Sequence, residues 1–345
     1  MVNVENWIQK QWYQWSLWQL ILVPLSLVFW LMAALRRTLY RYNLMQSIRV
    51  SVPVIVVGNI SVGGTGKTPC VLWLVKYLQL QGWHPGIISR GYGGHETRPL
   101  AVMAQSNPVE LGDEPILLAR RSGCPVWVGR DRVAVAQALL EAHPECNVLV
   151  SDDGLQHYRL ARDVELAVVD GARLFGNRLL LPAGPLRESV SRLNSVDAVV
   201  INQSGSEVKA VSKSGHEFSM RLQGQEFYNL SHADQRLDVN SMQGKRLHAI
   251  AGIGNPERFF YHLRQMGLVF AEHAFPDHHV YEKDDLHFQN SDAILMTEKD
   301  AVKCAGLGLE NAWVLAVDAV IGTALGDKII EKLEILRKEN GSQIT

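Results

Sequence analysis

The sequence predicts an α/β protein in which a parallel sheet carries helices on both faces and is followed by a second, smaller α/β domain. Three observations lead to it. Short apolar runs alternate with helical patterns, a glycine-rich loop joins one run to a helix, and further apolar runs follow a polar stretch. A long uncharged apolar segment comes first. The expected divisions are an N-terminal membrane helix with a basic flank (1–50), a first domain (51–203), a β-ribbon linker (204–244) and a C-terminal α/β domain (245–345).

The composition of the 345-residue chain narrows its class. Lys and Arg total 34 against 35 for Asp and Glu, and the net charge of -1 argues against a generally basic, nucleic-acid-binding surface. Four cysteines lie far apart without a C-x-x-C pair, so neither a disulfide framework nor a zinc finger is expected. A reducing compartment and the absence of a nucleic-acid partner are therefore predicted.

The N-terminal apolar segment, residues 15–35, contains no charged residue. As a helix it would measure roughly 30 Å, the thickness of a bilayer core. Arginines follow it with no acid between them, at Arg36, Arg37, Arg41 and Arg49. This bias predicts that the rest of the chain is cytoplasmic. A buried core helix and a cleaved signal peptide stay open as alternatives, and Pro24 leaves open whether the helix spans the membrane or lies in its interface.

Strands and helices alternate through the first domain. Apolar runs predict strands at 52–57, 86–89, 126–128, 148–151, 166–169 and 198–201. Helical patterns lie at 67–81, 114–121 and 132–142. Alternation of this length predicts parallel strands joined by helices.

Beyond residue 203 the pattern changes. Polar, alternating segments such as 216–222 predict a β-ribbon between the two domains. The second unit is expected to contain strands at 247–251, 268–270, 294–296 and 313–317. Its predicted helices lie at 256–266 and 328–338.

The strongest chemical signal is the loop that follows the first apolar strand and opens a helix, formed by Ser61, Val62, Gly63, Gly64, Thr65, Gly66, Lys67 and Thr68. A Walker A loop requires this context, so a P-loop NTPase-like core is expected. Backbone N–H groups and Lys67 would contact phosphate oxygens, and the Thr68 hydroxyl can ligate Mg²⁺. Ser61 departs from the motif, whose first position is glycine. The loop predicts ATP and Mg²⁺ as cofactors, against the alternative of a glycine-rich turn that merely caps a helix.

An acidic pair supports this prediction. Asp152 and Asp153 end an apolar run that begins at Val148. At the carboxyl end of a parallel strand, such carboxylates face the ligand crevice. One of them can hold Mg²⁺ directly or through water, whereas the alternative is a solvated acidic turn.

Other polar residues allow both a structural and a functional interpretation. Asp113 and Glu114 start a predicted helix, where acids are favoured as caps, but Asp113 could also take the proton of an attacking hydroxyl. For His278, in a histidine-rich loop, a plain polar loop, a metal cluster and a pairing with a carboxylate all stay open. A planar guanidinium suits phosphate oxygens, and such contacts fit the positions of Arg90, Arg130 and Arg187.

A series of motifs follows in one order along the chain, at 57–69, 89–94, 112–115, 128–132, 152–157, 182–188, 275–278 and 297–300. Alone the P-loop is weakly specific, but the ordered set closely resembles the tetraacyldisaccharide 4'-kinase family of lipid A biosynthesis. The resemblance covers nearly the whole chain. It implies transfer of the γ-phosphoryl of ATP to the 4'-hydroxyl of an acylated disaccharide 1-phosphate, with lipid IVA as the product.

The resemblance also implies roles for residues, carried over motif by motif. The implied catalytic set is Asp113, His278, Lys67, Arg187 and Glu188. Asp113 is the expected base and His278 its partner, a choice over His279 that rests on motif position alone. The implied metal ligands are Thr68, Asp152 and Asp153. Residues implied around the substrate or behind it are Arg90, Tyr92, Glu114, Arg130, Gln156 and His157. Residues 297–300 are expected to line the cleft.

The family further implies a place and partners for the chain. Its catalytic domains would lie on the cytoplasmic face of the bacterial inner membrane, where ATP is present. The expected partners are the acylated disaccharide 1-phosphate and membrane lipids, with no obligate protein partner. Because the second domain would supply His278, domain closure is expected to bring it within hydrogen-bond reach of Asp113.

Two other classes of function stay open. A membrane-associated regulatory P-loop ATPase also carries Gly-Gly-x-Gly-Lys-Thr, but such proteins have Lys where this chain has Val62. A non-enzymatic scaffold with a relic nucleotide site is the other class. Intact Lys67, Thr68 and Asp153 argue against it.

Overall fold

The computed structural model describes residues 11–14, 17–91, 98–203, 211–212 and 215–341. Its first helix, α1 (Leu17–Arg41), is long and apolar enough to cross a membrane by length and composition. The buried residues of α1 are Gln19 and Ser26. Its apolar side chains are mostly exposed, as at Leu20, Ile21, Leu27 and Leu31. Helix α1 therefore reverses the usual pattern, since it turns polar groups towards the protein and apolar groups outwards.

Ser26 fixes the middle of α1 to the first domain. Its hydroxyl donates to the Leu180 carbonyl at 2.9 Å and accepts from the Ala183 backbone N–H at 2.9 Å. These two hydrogen bonds satisfy a buried hydroxyl that would otherwise lose its water. The core-helix alternative is wrong, because most of the α1 surface is exposed.

Within the described ranges, nine strands form the first sheet: β1 (Val54–Gly58), β2 (Pro85–Ser89), β3 (Leu100–Ala101), β4 (Val126–Val128), β5 (Val148–Asp152), β6 (Val164–Asp170), β7 (Ala198–Asn202), β8 (Glu217–Gln223) and β15 (Asp318–Ile321). Their order is β15-β8-β7-β6-β1-β5-β2-β4-β3. Strands β3 and β15 are antiparallel to their neighbours, and the other pairs are parallel. The central strands are continuous apolar runs because helices cover both faces.

Those helices divide the first domain's core in two. On one face, α2 (Lys67–Leu80), the short α3 (Pro108–Leu111) and α4 (Asp113–Ser122) contribute buried side chains such as Leu74 and Ile116. On the other face, α5 (Arg132–Ala142) contributes Leu139. The predicted parallel sheet with helices on both faces is confirmed.

The second sheet contains β9 (Glu226–Asn229), β10 (Arg236–Asp238), β11 (Leu247–Ala251), β12 (Phe270–Ala274), β13 (Ala293–Thr297) and β14 (Ala312–Leu315), in the order β10-β9-β14-β13-β11-β12. Helix α6 (Pro256–Gln265) packs Phe260 and Leu263 against it. The short helix α7 (Glu298–Cys304) follows β13 directly. This is the expected smaller α/β domain.

A two-stranded antiparallel ribbon joins the two sheets. Strand β8 leads through Gly224 into β9, and β14 leads into β15. Strands β9 and β14 pair in the second sheet, whereas β8 and β15 pair in the first. Gly224 is required at the crossing, because a Cβ there would lie 2.2 Å from the Ala316 carbonyl oxygen.

The chain then returns to the first domain, which differs from the expected division. After β15, helix α8 (Thr323–Gly341) packs Leu325, Ile329 and Leu333 into the first core. The second ribbon strand thus comes from 312–321 and not from the segment 204–244. Residues 318–341 belong to the first domain, although the sequence analysis places them in the C-terminal one.

A few elements differ in extent from the prediction. The strand predicted at 268–270 corresponds to β12, which begins later, at Phe270. Leu268 is buried but lies between α6 and β12. The terminal helix predicted at 328–338 extends over the whole of α8. Strand β10 has no apolar run to signal it, and β3 lies in the apolar run 100–104, which the sequence analysis does not assign to a strand. Each of these strands pairs with one neighbour.

We predict that Leu74→Ala destabilises the protein far more than Leu80→Ala on the same helix. Leu74 is fully buried, whereas Leu80 is 76% exposed. Truncating a buried leucine costs about 2–5 kcal/mol, and an exposed substitution changes stability by within about 0.5 kcal/mol. Thermal unfolding in detergent should therefore show a clear drop in midpoint for Leu74→Ala alone. Equal midpoints for the two variants would contradict the packing described for α2.

Candidate active site

The phosphate loop lies between β1 and α2 in a strained conformation that glycine permits. Gly63 and Gly66 have φ values of 99° and 97°. The Asn202 side chain donates to the Thr65 carbonyl at 3.0 Å and so braces the loop. A Cβ on Gly66 would lie 2.3 Å from that same amide nitrogen. Ser61, which replaces the first glycine of the motif, forms an antiparallel β-bridge with Leu186.

Asp153 carries two cationic partners. Its carboxylate lies 3.5 Å from Lys67 Nζ, and Arg187 Nη1 donates to both carboxylate oxygens at 3.1 and 3.0 Å. Burial alone would raise the pKa of Asp153, but the two cations hold it far below its usual range. The sequence-predicted Lys67, Asp153 and Arg187 therefore form one cluster at the carboxyl end of the sheet.

Asp152 lies beside this cluster with much less compensation. Its side chain is buried, and Ser89 Oγ donates to Oδ2 at 3.3 Å. Among the described residues, Oδ1 has no hydrogen-bond partner. Burial first, and the carboxylates of Glu114 and Asp153 next, raise the pKa of Asp152 to about 7. A buried carboxylate oxygen of this kind is well suited to a cation.

Asp113 meets the second domain at the first turn of α4. Its Oδ1 accepts from the backbone N–H of Glu114 at 2.9 Å and lies 3.3 Å from His278 Nδ1. Its Oδ2 is buried and has no hydrogen-bond partner in the described part of the chain. Lys299 Nζ lies 3.8 Å from that Oδ2. The expected approach of Asp113 and His278 across the domains is therefore present, and Lys299 joins them.

These contacts change the acidity of the pair. Burial alone would raise the pKa of Asp113, but the hydrogen bond from His278 and the Lys299 ammonium lower it overall. The hydrogen bond to Asp113 raises the pKa of His278. Asp113 is thus held as a carboxylate, and His278 is biased towards its cationic form. The neighbouring His279 binds Asp285 instead, at 2.9 Å, which separates the two histidines' roles.

Glu188 lies in a buried network behind Arg187. Gln156 Nε2 donates to its Oε1 at 2.8 Å, and the Tyr158 hydroxyl donates to its Oε2 at 2.8 Å. Arg192 Nε forms an ion pair with the same Oε2 at 3.3 Å. Gln156 and Glu188 are thus brought together, and Tyr158 and Arg192 are partners that sequence reasoning missed.

Arg130 and His157 line a different pocket, of about 280 Å³, which Arg36, Tyr40 and Arg159 also line. His157 Nε2 lies 3.1 Å from the Arg130 carbonyl oxygen. Burial first, and the Arg132 cation next, lower the pKa of His157. The pocket therefore joins the end of α1 to the catalytic domain through a group of cations.

The two other predicted residues are Arg90 and Tyr92. Arg90 is exposed and follows the carboxyl end of β2. Tyr92 lies outside the described residues.

A cavity of about 490 Å³ lies between the phosphate loop and the second domain. The loop lines one wall with Gly64–Thr68, and α6 lines the other with Arg258, Phe259 and His262. Arg173 ties the walls together, since it donates to the Gly64 carbonyl at 3.0 Å and to the Gly254 carbonyl at 3.1 Å. Asn202 and Arg173 were missed because each acts at a strand end far away in sequence. Lys299 falls within residues 297–300, which were expected to line the cleft without a stated role.

Comparison with known proteins identifies the family. The family described as tetraacyldisaccharide-1-P 4'-kinase matches residues 18–334. The chain belongs to this family. A curated relative from Methylobacillus flagellatus, named tetraacyldisaccharide 4'-kinase, is 51% identical over 338 residues, which cover 98% of this chain and 99% of that protein. A relative from Azoarcus sp. strain BH72, with the same name, is 54% identical over 316 residues, which cover 91% of this chain and 92% of that protein.

A solved structure agrees with the sequence comparison. The crystal structure of LpxK from Aquifex aeolicus in complex with ATP matches with a TM-score of 0.79 and 28% identity. The match covers 92% of this chain and 100% of that one. The chain is therefore a kinase of the tetraacyldisaccharide-1-P 4'-kinase family, and the two-domain fold predicted from the sequence is confirmed.

We predict that Gly66→Ala disables the phosphate loop while Gly82→Ala does not. Both positions have positive φ, at 97° and 79°, but nothing lies within 4 Å of a Cβ at Gly82. Backbone strain of about 1–3 kcal/mol is thus common to both, and the clash with Asn202 is specific to Gly66. Binding of a fluorescent nucleoside triphosphate should weaken by at least about tenfold in Gly66→Ala only. Unchanged binding would contradict the assigned loop.

Proposed function

We propose that this kinase transfers the γ-phosphoryl group of ATP to the 4'-hydroxyl of a tetraacyldisaccharide 1-phosphate, giving lipid IVA in lipid A biosynthesis. The observation that carries the mechanism is the buried Oδ2 of Asp113, which accepts no hydrogen bond from the described residues. A phosphoryl acceptor needs a carboxylate within reach of its hydroxyl proton, and the rest of catalysis is positioning and charge neutralisation.

Asp113 is the base, and its two oxygens have separate tasks. Oδ1 is held by the Glu114 backbone N–H and by His278, so the carboxylate cannot rotate freely. Oδ2 is buried and accepts no hydrogen bond from the described residues, so its lone pairs are left for the acceptor hydroxyl. When the hydroxyl oxygen attacks phosphorus, its proton passes to Oδ2 and the β–γ bridging oxygen leaves with ADP.

The phosphate loop supplies the charge that this transfer needs. Backbone N–H groups of the loop and Lys67 hold the β- and γ-phosphates. Asp153 positions Lys67 and Arg187, with which it pairs. Arg187 then lies where it can neutralise the transferring phosphoryl group, and Glu188 is oriented by its own buried network.

The residues present fit Mg²⁺. Asp152 offers a buried oxygen without a hydrogen-bond partner in the described ranges, and its pKa is raised by burial first and by the Glu114 and Asp153 carboxylates next. Thr68 and Asp152 would hold the ion, with Asp153 nearby. When bound, Mg²⁺ would neutralise charge on the phosphate oxygens. The hydroxyl of Thr68 and the carboxylate of Asp152 are hard oxygen donors, the type that Mg²⁺ prefers.

The acceptor would bind on the side of the first domain where α1 ends. Arg130 and His157 line the pocket there, and Gln156, Arg90 and Tyr92 are proposed to contribute to the substrate site, Tyr92 from sequence alone. Glu114 supports Asp113 from behind through its backbone N–H. The cationic pocket between α1 and Arg130 suits an anionic amphiphile near the bilayer surface.

The length and apolar surface of helix α1, with the arginines that follow it, support attachment of the enzyme to the cytoplasmic face of the bacterial inner membrane. Its middle is hydrogen-bonded to the first domain, and near its end the Tyr40 ring lies 5.8 Å from that of Tyr158. A helix held along a domain in this way would turn its exposed apolar face towards the bilayer. Its exposed apolar side chains then contact lipid, and Arg36 and Arg37 face anionic headgroups.

We predict that His278→Gln lowers kcat strongly and that His279→Gln, its matched control, does not. His278 contacts Asp113, whereas His279 contacts Asp285. Positioned acid–base groups raise the rate of a reaction by about 10²- to 10⁴-fold. The kcat of Asp113→Asn should therefore fall by that factor, and the kcat of His278→Gln by a smaller one. Purified protein, labelled ATP, Mg²⁺ and the tetraacyl disaccharide 1-phosphate in detergent provide the assay. Equal losses in both histidine variants would exclude the Asp113–His278 pair from catalysis.

The same assay separates the proposal from a regulatory ATPase. Label should appear in the lipid fraction, on the 4'-position, for the wild type. Release of inorganic phosphate without labelled lipid, whether or not the lipid is present, would overturn the proposed function.

A further inference from the structure

Lys299 occupies an unusual position between three carboxylates. Its ammonium nitrogen lies 3.0 Å from Asp277 Oδ1, 3.2 Å from Glu114 Oε1 and 3.8 Å from Asp113 Oδ2. Its side chain is only 13% exposed. A lysine buried in this way loses hydration, so it requires the anions around it. Lys299 joins the second domain, which supplies Asp277, to the first, which supplies Asp113 and Glu114.

The chain around Lys299 fixes it in this place. The Thr297 hydroxyl accepts from the Asp300 backbone N–H at 3.1 Å and so caps α7. The Asp300 carboxylate is fully buried, accepts from the Tyr281 hydroxyl at 3.0 Å and pairs with Lys303 at 2.8 Å. Lys299 is thus presented by a rigid helix start and is not carried on a loose surface loop.

We propose that Lys299 is a positioning residue for phosphoryl transfer, delivered by the second domain to hold the Asp113 carboxylate ionised with its Oδ2 free for the acceptor. The proposal rests on the proposed function. It assigns a role to the 297–300 motif, for which the sequence gives only a place in the cleft. It also makes catalysis depend on how the two domains meet.

The distances explain why a lysine suits this task. At 3.8 Å from Oδ2 the ammonium is too far to donate a hydrogen bond, so it does not occupy the lone pairs that accept the proton. It is close enough to stabilise negative charge on that oxygen. The shorter contacts to Asp277 and Glu114 keep the ammonium from moving closer.

Removing Lys299 would leave an uncompensated acidic cluster. Facing Asp113 are Glu114 from its own helix, Asp277 and His278 from the loop after β12, and Lys299 and Lys303 from α7. Without the Lys299 charge, the two other carboxylates favour protonation of Asp113. Because the base must be ionised, and its ionisation is lost as pH falls through its pKa, a raised pKa moves the loss of activity to higher pH.

The test compares pH profiles of kcat for wild type, Lys299→Met and Lys299→Arg in the lipid kinase assay. We expect Lys299→Met to lower kcat at neutral pH by at least about tenfold and to move its acidic limb upward by about one pH unit or more. The KM for ATP should change by less than about threefold, since Lys299 acts through Asp113 and not through the nucleotide. Lys299→Arg, which keeps the charge, should restore much of kcat and the wild-type acidic limb.

Arg121→Met is the matched control. Arg121 also pairs across the domains, with Glu298 on α7, but it does not contact Asp113. If Lys299 were only an interdomain tie, both variants would lower the thermal midpoint and neither would move the pH profile. That result would overturn the proposal, as would a rise in KM with unchanged kcat.

Two further outcomes are defined. If Lys299→Met does not fold, Lys299→Gln replaces it, and an unshifted acidic limb in Lys299→Gln overturns the proposal in the same way. If the wild type forms no labelled lipid, the proposed function fails first. Labelled lipid from the wild type together with an unshifted Lys299→Met profile overturns this inference alone.

Discussion

Compensation of buried negative charge is the constraint on which this structure depends. A kinase must bring a polyanionic nucleotide to a site that already contains carboxylates, and each charge taken out of water needs a partner. Here the carboxylates receive different partners. Asp153 has Lys67 and Arg187, Asp113 has His278 and Lys299, and one oxygen of Asp152 accepts no hydrogen bond from the residues that the structure describes. That unequal division separates the site into a phosphate side, a base and a place for a cation.

The fold meets this constraint by directing the carboxyl ends of two sheets towards each other. Strands β1 and β5 of the first sheet end at the phosphate loop and the acidic pair. In the second sheet, the loop after β12 presents His278, and α7, which follows β13, presents Lys299. The antiparallel ribbon and the return of α8 give the chain two crossings between the domains, which limits how they can separate. Ligands bind at the carboxyl ends of strands in α/β folds. In this protein the carboxyl ends of strands from both sheets contribute side chains to the candidate site.

Features that depend on local sequence could be predicted from it, whereas contacts between the domains could not. The Asp113–His278 contact was predicted only through the family resemblance, and the contacts of Lys299 were not predicted. The phosphate loop and Asp152–Asp153 follow apolar strands directly, so strand context was sufficient. Lys299 and Glu114 are 185 residues apart, and nothing local indicates that they meet. The available signal was the position of the 297–300 motif at the end of an apolar run. The strand-end rule applied to Asp152 also applies there, once the second sheet is known to face the first.

The prediction of α1 shows the same division between local and distant information. Its length, its lack of charge and the following arginines are local, and they indicate contact with a membrane. Whether such a helix spans or lies flat depends on what holds it, and Ser26, the residue that holds its middle, is a minor break in the apolar run. Its hydroxyl binds the segment around Leu180 and Ala183, which leads into Arg187 and Glu188. The apolar helix and the segment that presents the phosphate-side arginine are therefore joined by two hydrogen bonds. If α1 contacts lipid as proposed, this connection would hold the bilayer surface at a fixed place relative to the site.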